Sequence, residues 1–327
     1  MNISVLGCGR WGSFIAWYLN KIGHNVTVWG RKESQNLSRF LKYRNNGIIF
    51  FDEKVKITSD LGKALSNCEA VVISISAQSL RDLFRYLSDF DLSNKKIILC
   101  MKGIEENTGK RLTQVACEYI NKDFTDIAIW VGPGHVQDFL KGIPNCMVID
   151  SDKKSVTKFL VDEFSSDLIR FYYGNDLIGN EIGAAAKNVI GIAAGILDGI
   201  GYESLKGALM SRGTFEISHL IQAMGGNPLS AYGLCHLGDY QATLFSEHSN
   251  NRQYGENIVK KQECLKLAEG VSTSRALKKL SEVYNVELPI CNAVNAIIDK
   301  KTDPKTELSN LFLRPVKIEL RRFPGEN

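Results

Sequence analysis

No two of the eight cysteines stand as a C-x-x-C pair, and several lie inside apolar, strand-like runs. Closely spaced thiols are what a structural zinc site or a dithiol redox motif needs, so neither is indicated. The 327-residue chain opens directly on a strand, leaving no room for a targeting segment, and buried free thiols are expected instead of disulfides. An excess of one charge is lacking too. Forty basic residues against 36 acidic ones give a net charge of +4, and the signs are interspersed, so no nucleic-acid-binding face is formed. No histidine spacing suggests a metal, and His24, His219 and His248 read as ordinary surface or loop residues. The most apolar stretch, Ile182 to Leu197, is broken by Lys187 and Asn188 and is too short to span a bilayer. Repeats and low-complexity tracts are absent. What remains is a globular chain of about two domains, expected in the cytoplasm, whose slight positive surplus suits a small anionic substrate.

The beginning of the chain is its most informative part. Asn2-Ile-Ser-Val-Leu6 is an apolar run with β-branched residues, and Gly7-Cys-Gly-Arg-Trp-Gly12 follows at once. Ser13 to Ile22 reads as a helix with Phe14, Ala16, Trp17, Leu19 and Ile22 apolar, and Val26-Thr-Val-Trp29 as a second strand. Strand, glycine turn, helix and strand, with G-x-G-x-x-G at the first joint, is the fingerprint of a dinucleotide-binding crossover. Gly7 permits the tight turn, Gly9 lets a pyrophosphate approach the backbone, and Gly12 lets helix and strand pack closely. The helix N-terminus offers unpaired N–H groups to the phosphates, with Arg10 and Trp11 of the glycine turn as further cofactor-binding candidates. Past the second strand comes Gly30-Arg31-Lys32, with no acid until Glu33. An acid there would bond the ribose 2′-hydroxyl of NAD, whereas Arg31 and Lys32 suit a 2′-phosphate. NADP(H) is therefore favoured, with NAD(H) tolerated.

Strand-like runs recur at 55–57, 70–75, 97–100, 127–131 and 146–149, with 171–173 as the last. Helical stretches fall between them at 32–43, 60–66, 80–87, 109–120 and 153–163. This alternation predicts a mostly parallel sheet covered on both faces: an α/β Rossmann domain over residues 1–177. Beyond it, helices are expected at 178–198, 205–224, 258–267, 272–284 and 289–298, giving an all-α domain over 178–327. Gly225 to Gly255 reads as loop-rich and suited to a binding surface, and the basic tail Arg314–Arg322 as a solvated extension.

Lys187 stands out in the helical half. In Ile182-Gly-Ala-Ala-Ala-Lys-Asn-Val-Ile-Gly-Ile-Ala-Ala-Gly195 only it and Asn188 are polar, so the helix is expected to be buried. A buried lysine loses basicity and becomes suited to proton transfer. Lys102 directly follows an apolar strand, and Gly132-Pro-Gly-His135 follows the next, both at the strand ends where open α/β sheets bind ligands. Gly238-Asp239 and Ser249-Asn-Asn-Arg252 complete the set of candidates.

Taken in order, Gly7–Gly12 with Trp11, Met101-Lys-Gly103, Gly132-Pro133, Gly183-Ala-Ala-Ala-Lys-Asn188, Ser211-Arg-Gly213, Gly238-Asp239, Ser249 to Gly255, Glu269-Gly270 and Leu288-Pro-Ile290 form a pattern. It resembles the bacterial NAD(P)-dependent sn-glycerol-3-phosphate dehydrogenases over about the whole length. The resemblance implies a Rossmann domain followed by an all-helical domain, with the active site between them. It implies reduction of dihydroxyacetone phosphate to sn-glycerol 3-phosphate for glycerophospholipid synthesis. Lys187 matches the family's proton donor, and Lys102 would add charge stabilisation. Lys102, Gly132, Gly134, Lys187, Asp239, Ser249, Asn250 and Asn251 fall where the family holds substrate. Trp11, Arg31, Lys102, Val136, Asn250 and Glu269 fall where it holds cofactor. Two departures stand out: Asn250 where the family carries arginine, and Gly134-His135-Val136 where it carries Ser/Thr-Phe-Ala. Other readings stay open: a reductase of the same plan acting on another keto or hydroxy substrate, and a non-catalytic dinucleotide sensor. A homodimer is a further assembly that the sequence leaves open.

Overall fold

The structure is a computed structural model that describes residues 1–264, 266–316 and 318–319. Eight strands, β1 (Asn2–Leu6), β2 (Asn25–Trp29), β3 (Lys56–Thr58), β4 (Ala70–Ile73), β5 (Lys96–Leu99), β6 (Asp126–Val131), β7 (Asn145–Asp150) and β8 (Ile169–Tyr173), form one sheet ordered 3-2-1-4-5-6-7-8. All neighbours are parallel except β6 and β7. The order reverses between β1 and β4, which opens a crevice at the carboxyl ends of those strands. Alternate residues serve opposite faces, as the two-residue strand period demands. Ile3, Val5, Ala70 and Val72 join the core under Phe14, Phe40 and Phe164. Leu6, Val71 and Ile73 join the core under Leu83, Phe84 and Val115. The helices over these faces are α1 (Arg10–Lys21), α2 (Gln35–Tyr43), α3 (Leu61–Leu65), α4 (Leu80–Leu87), α5 (Leu112–Cys117), α6 (Val136–Leu140) and α7 (Lys154–Phe164). The first half is thus a Rossmann fold, and the rest of the described chain is helical.

That second part is built around α8 (Leu177–Ile200), whose residues from Gly179 to Leu197 are buried without interruption. Its 24 residues correct the expectation that this stretch is too short to span a bilayer. Yet 89% of its most apolar window is enclosed by protein, as a core helix requires. α9 (Lys206–Ala223), α10 (Asn250–Lys260), α11 (Glu269–Tyr284) and α12 (Pro289–Ile298) pack around it, and α13 (Pro304–Phe312) follows. Glycine permits the closest of these contacts: a Cβ on Gly195 would strike the carbonyl of Arg252, and one on Gly255 the carbonyl of Ile192.

Several expectations are corrected here. The helix expected at 258–267 instead starts at Asn250, where the Ser249 hydroxyl caps the Arg252 N–H, and ends when Lys261 turns left-handed. The stretch expected to be loop-rich up to 255 therefore holds the first half of a helix, preceded by short turns at Pro228–Tyr232 and Leu237–Asp239 and a single π-helical turn at Gln241–Phe245. α13 was not expected. Of the tail Arg314–Arg322, Lys317 and residues 320–322 lie outside the described residues; Arg314 pairs with Glu287 at 2.7 Å. His24 is buried, not a surface residue, and its ring bridges the Met1 amine and the Glu163 carbonyl. All eight cysteines are free.

Candidate active site

A cleft of about 320 Å³ opens beyond the carboxyl ends of β4, β5 and β6, against α8 and the start of α10. The loop after β5 supplies Lys102, the loop after β6 supplies Gly134 and His135, and α8 supplies Lys187. Asp239, Thr243, His248 and Ser249 close the far wall. A larger hollow of about 1120 Å³ lies among α8, α9, α12 and α13, but none of the candidate catalytic, substrate-binding or cofactor-binding residues lines it.

The centre of the cleft is a three-charge knot. Lys102 Nζ donates to Asp239 Oδ2 at 2.6 Å and to the Gly132 carbonyl at 2.6 Å. Lys187 Nζ lies 2.8 Å from the same Asp239 oxygen and donates to Thr243 Oγ1 at 2.8 Å. The Thr243 hydroxyl in turn donates to the Asp239 carbonyl at 2.7 Å. The Lys187 side chain is 9% exposed and that of Asp239 1% exposed. Burial is the main influence on Lys187 and pulls its ammonium down to about 8. Asp239 opposes this shift, and the charge of Lys102 adds to it. The amine is therefore poised to give up or take a proton close to neutrality.

A polar ladder fixes α8 in this register. Asn188 Nδ2 donates to the Lys102 carbonyl at 3.0 Å, Asn251 Nδ2 donates to Asn188 Oδ1 at 3.0 Å, and Gly270 N donates to Asn251 Oδ1 at 2.9 Å. One chain of amides thus ties β5, α8, α10 and α11 together. Behind it, His236 is fully enclosed between the Gly183 carbonyl at 2.8 Å and the Tyr240 hydroxyl at 2.7 Å. Burial pulls its imidazole down to about 4, so it is neutral.

At the other end of the cleft, Gly7 adopts φ +118°, and a Cβ on Gly12 would strike the carbonyl of Gly7. Nothing lies within 4 Å of where a Gly9 Cβ would sit, and Gly9, the cap of α1, makes no side-chain hydrogen bond. The first turn of α1 thus faces open space with its N–H groups free for an anion. Arg10, Trp11, Val136, Asn250 and Glu269 line this side. Glu269 Oε1 accepts from Ala77 N at 3.2 Å, whereas its buried Oε2 has no hydrogen-bond partner among the described residues. Such an orphaned acceptor fits the amide of a nicotinamide, and the glycine turn fits a pyrophosphate. Arg31 and Lys32 are exposed just past the end of β2 and do not line the cleft.

Asn250 turns its amide to the Leu267 carbonyl at 3.2 Å. Arg252, two residues on, points away and pairs with Asp198 at 2.5 Å. Sequence reasoning missed Thr243, and it passed over His248 as a plain loop residue although it lines the cleft. For Thr243 the signal was its spacing: four residues past Asp239, it returns to the same face of the turn.

A doubly wound sheet with a glycine turn on its first strand, joined to a helical part that offers a buried ammonium across a cleft, defines a nicotinamide-dinucleotide oxidoreductase. The comparisons narrow the class. Residues 2–157 match the N-terminal model of NAD-dependent glycerol-3-phosphate dehydrogenase, and residues 176–309 match the C-terminal model. The chain belongs to this family. It is 35% identical to glycerol-3-phosphate dehydrogenase [NAD(P)+] of Fusobacterium nucleatum, covering 99% of this chain and all of that protein. It is 34% identical to the enzyme of the same name from Thermoanaerobacter sp., covering 98% and 99% of the two chains. The crystal structure of glycerol-3-phosphate dehydrogenase from Coxiella burnetii superposes with a TM-score of 0.89 at 23% identity, covering 96% of this chain and 99% of that one.

Proposed function

We propose that this chain catalyses the reversible NAD(P)H-dependent reduction of dihydroxyacetone phosphate to sn-glycerol 3-phosphate, supplying glycerophospholipid synthesis in the cytoplasm. The observation that carries this reading is the buried Lys187 ammonium, hydrogen-bonded to Asp239 and Thr243 where the sheet's strand ends meet α8. The working units are the domains 1–177 and 178–327, with the reaction at their junction.

When bound, the nicotinamide supplies a hydride to the ketone carbon. Negative charge then develops on the ketone oxygen, and a positioned ammonium both stabilises it and donates the proton. Lys187 takes that role. Its depressed basicity makes the proton easy to surrender, and the neutral amine can recover one from solvent or accept one in the reverse direction. Lys102 holds Asp239 and adds positive potential. Asp239 bridges the two ammonium groups through one oxygen and holds them in a fixed geometry. Arg10, Trp11, Val136, Glu269 and the glycine turn would hold the cofactor. Arg31 and Lys32 favour NADP(H) over NAD(H).

The test is oxidation of NADPH and NADH by the purified protein with dihydroxyacetone phosphate, compared with ketopantoate. The reading expects turnover with dihydroxyacetone phosphate at a kcat/KM at least a hundredfold higher. Preference for ketopantoate, or no turnover of the triose phosphate, overturns it.

A further inference from the structure

The three-charge knot leaves the far end of the substrate without a hand to hold it. Lys102 and Lys187 are both committed to Asp239. Arg252 is turned away to Asp198, and the Asn250 and Asn251 amides are occupied by Leu267 and Asn188. Two neighbouring rings of the cleft keep ring nitrogens without a hydrogen-bond partner among the described residues. His135, in the loop between β6 and α6, has a fully covered Nε2 with no hydrogen-bond partner among the described residues. His248, just before α10, makes no ring hydrogen bond among the described residues, and its ring stands 6.1 Å from that of His135 at 81°. Both line the same cleft as Lys187.

We infer that His135 and His248 together form the seat for the phosphate of the substrate, clasping it between the β6–α6 loop and the start of α10. This rests on the triose-phosphate reading above. The two rings meet edge to face, and N–H groups on neighbouring rings can both reach oxygens of one phosphate seated beside the pair. A buried ring nitrogen without a partner costs stability, and it persists where a ligand completes it. The chemistry of the pair selects the ligand. Each imidazole can offer an N–H donor to an oxygen of an anion. Burial already disfavours the charged ring of His135, so an arriving anion has most to add there. Two lysines and one aspartate give the knot a net charge of +1, which draws the same anion inward. A hydroxyl in that place would use neither the second donor nor the field.

The experiment measures the dissociation constant of glycerol 3-phosphate for the NADPH-loaded enzyme, a pair that cannot react, by calorimetry, with that of NADP⁺ measured alongside. His135→Phe and His248→Phe keep a ring but remove the donor, and each is expected to weaken glycerol 3-phosphate at least tenfold. His135→Gln, which restores an N–H near Nε2, is expected to stay within about threefold of wild type. NADP⁺ affinity should move less than twofold in all three. Unchanged glycerol 3-phosphate binding in both phenylalanine variants overturns the inference. A parallel loss of both ligands, unrescued by glutamine, also overturns it, because that is a structural role. If the wild-type enzyme neither binds glycerol 3-phosphate nor turns over dihydroxyacetone phosphate, the underlying reading fails, and the inference with it.

Discussion

Replacing Lys187 by methionine should make the protein more stable and much less active. Burial holds the ammonium at about 8 against an ordinary 10.5, even with Asp239 pulling the other way. Two to three pH units at about 1.36 kcal/mol each correspond to roughly 3 kcal/mol of destabilisation by the charged group. The direction follows from the depressed value. Below pH 8 both folded and unfolded chains carry the proton, so the cost is felt in full. Between about pH 8 and 10.5 the folded chain releases its proton first and the cost fades. Methionine fills similar volume without charge, and Asp239 keeps its 2.6 Å partner Lys102. Urea unfolding at pH 7.0 should therefore show Lys187→Met more stable by up to about 3 kcal/mol, with the gain shrinking toward pH 10. Turnover should fall by about 10² to 10⁴, the usual share of a general acid. A variant less stable than wild type at pH 7, or one with unchanged kcat, refutes the reasoning.

Three more perturbations probe other parts of the account. Arg31→Ala should raise the KM for NADPH by about tenfold and leave NADH nearly unaffected, as loss of a charge-assisted phosphate contact predicts; equal effects on both would refute it. Gly255→Ala places a methyl against the Ile192 carbonyl where α10 crosses α8, so urea unfolding should register a loss of about 1–3 kcal/mol. Glu181, on α8, accepts from Thr113 N at 3.0 Å and Thr113 Oγ1 at 2.7 Å and pairs with Arg111, tying the first turn of α5 to the helical core. Glu181→Ala should cost about 3–5 kcal/mol by leaving Arg111 uncompensated, whereas a loss under 1 kcal/mol would mean the pair acts like a surface bridge.

The sheet was legible because its signals are local. Glycines at 7, 9 and 12 and the apolar runs at 70–75 and 127–131 each specify a strand end or a turn within a few residues. Lys187 was legible for a similar reason, since a lone cation among alanines and isoleucines can only be buried. The start of α10 was obscured because Asn250, Asn251 and Gly255 are poor helix formers. What makes them helical is tertiary: the Ser249 cap, the Asn251–Asn188 bond and the glycine contact with α8. Thr243 carried only its four-residue spacing from Asp239, and His248 carried no local signal. Their part in the cleft depends on a π-helical turn and a loop formed only in the folded chain.

The central claim is that the Lys187 ammonium gives the proton. Its most direct test is the pH profile of kcat/KM for dihydroxyacetone phosphate reduction and for glycerol 3-phosphate oxidation, taken on the same enzyme from pH 6 to 10. With the amine near 8, reduction should be level below that pH and fall about tenfold per unit above it, while oxidation rises to a plateau across the same range. Profiles that stay parallel in the two directions, or that keep these limbs in Lys187→Met, would contradict it.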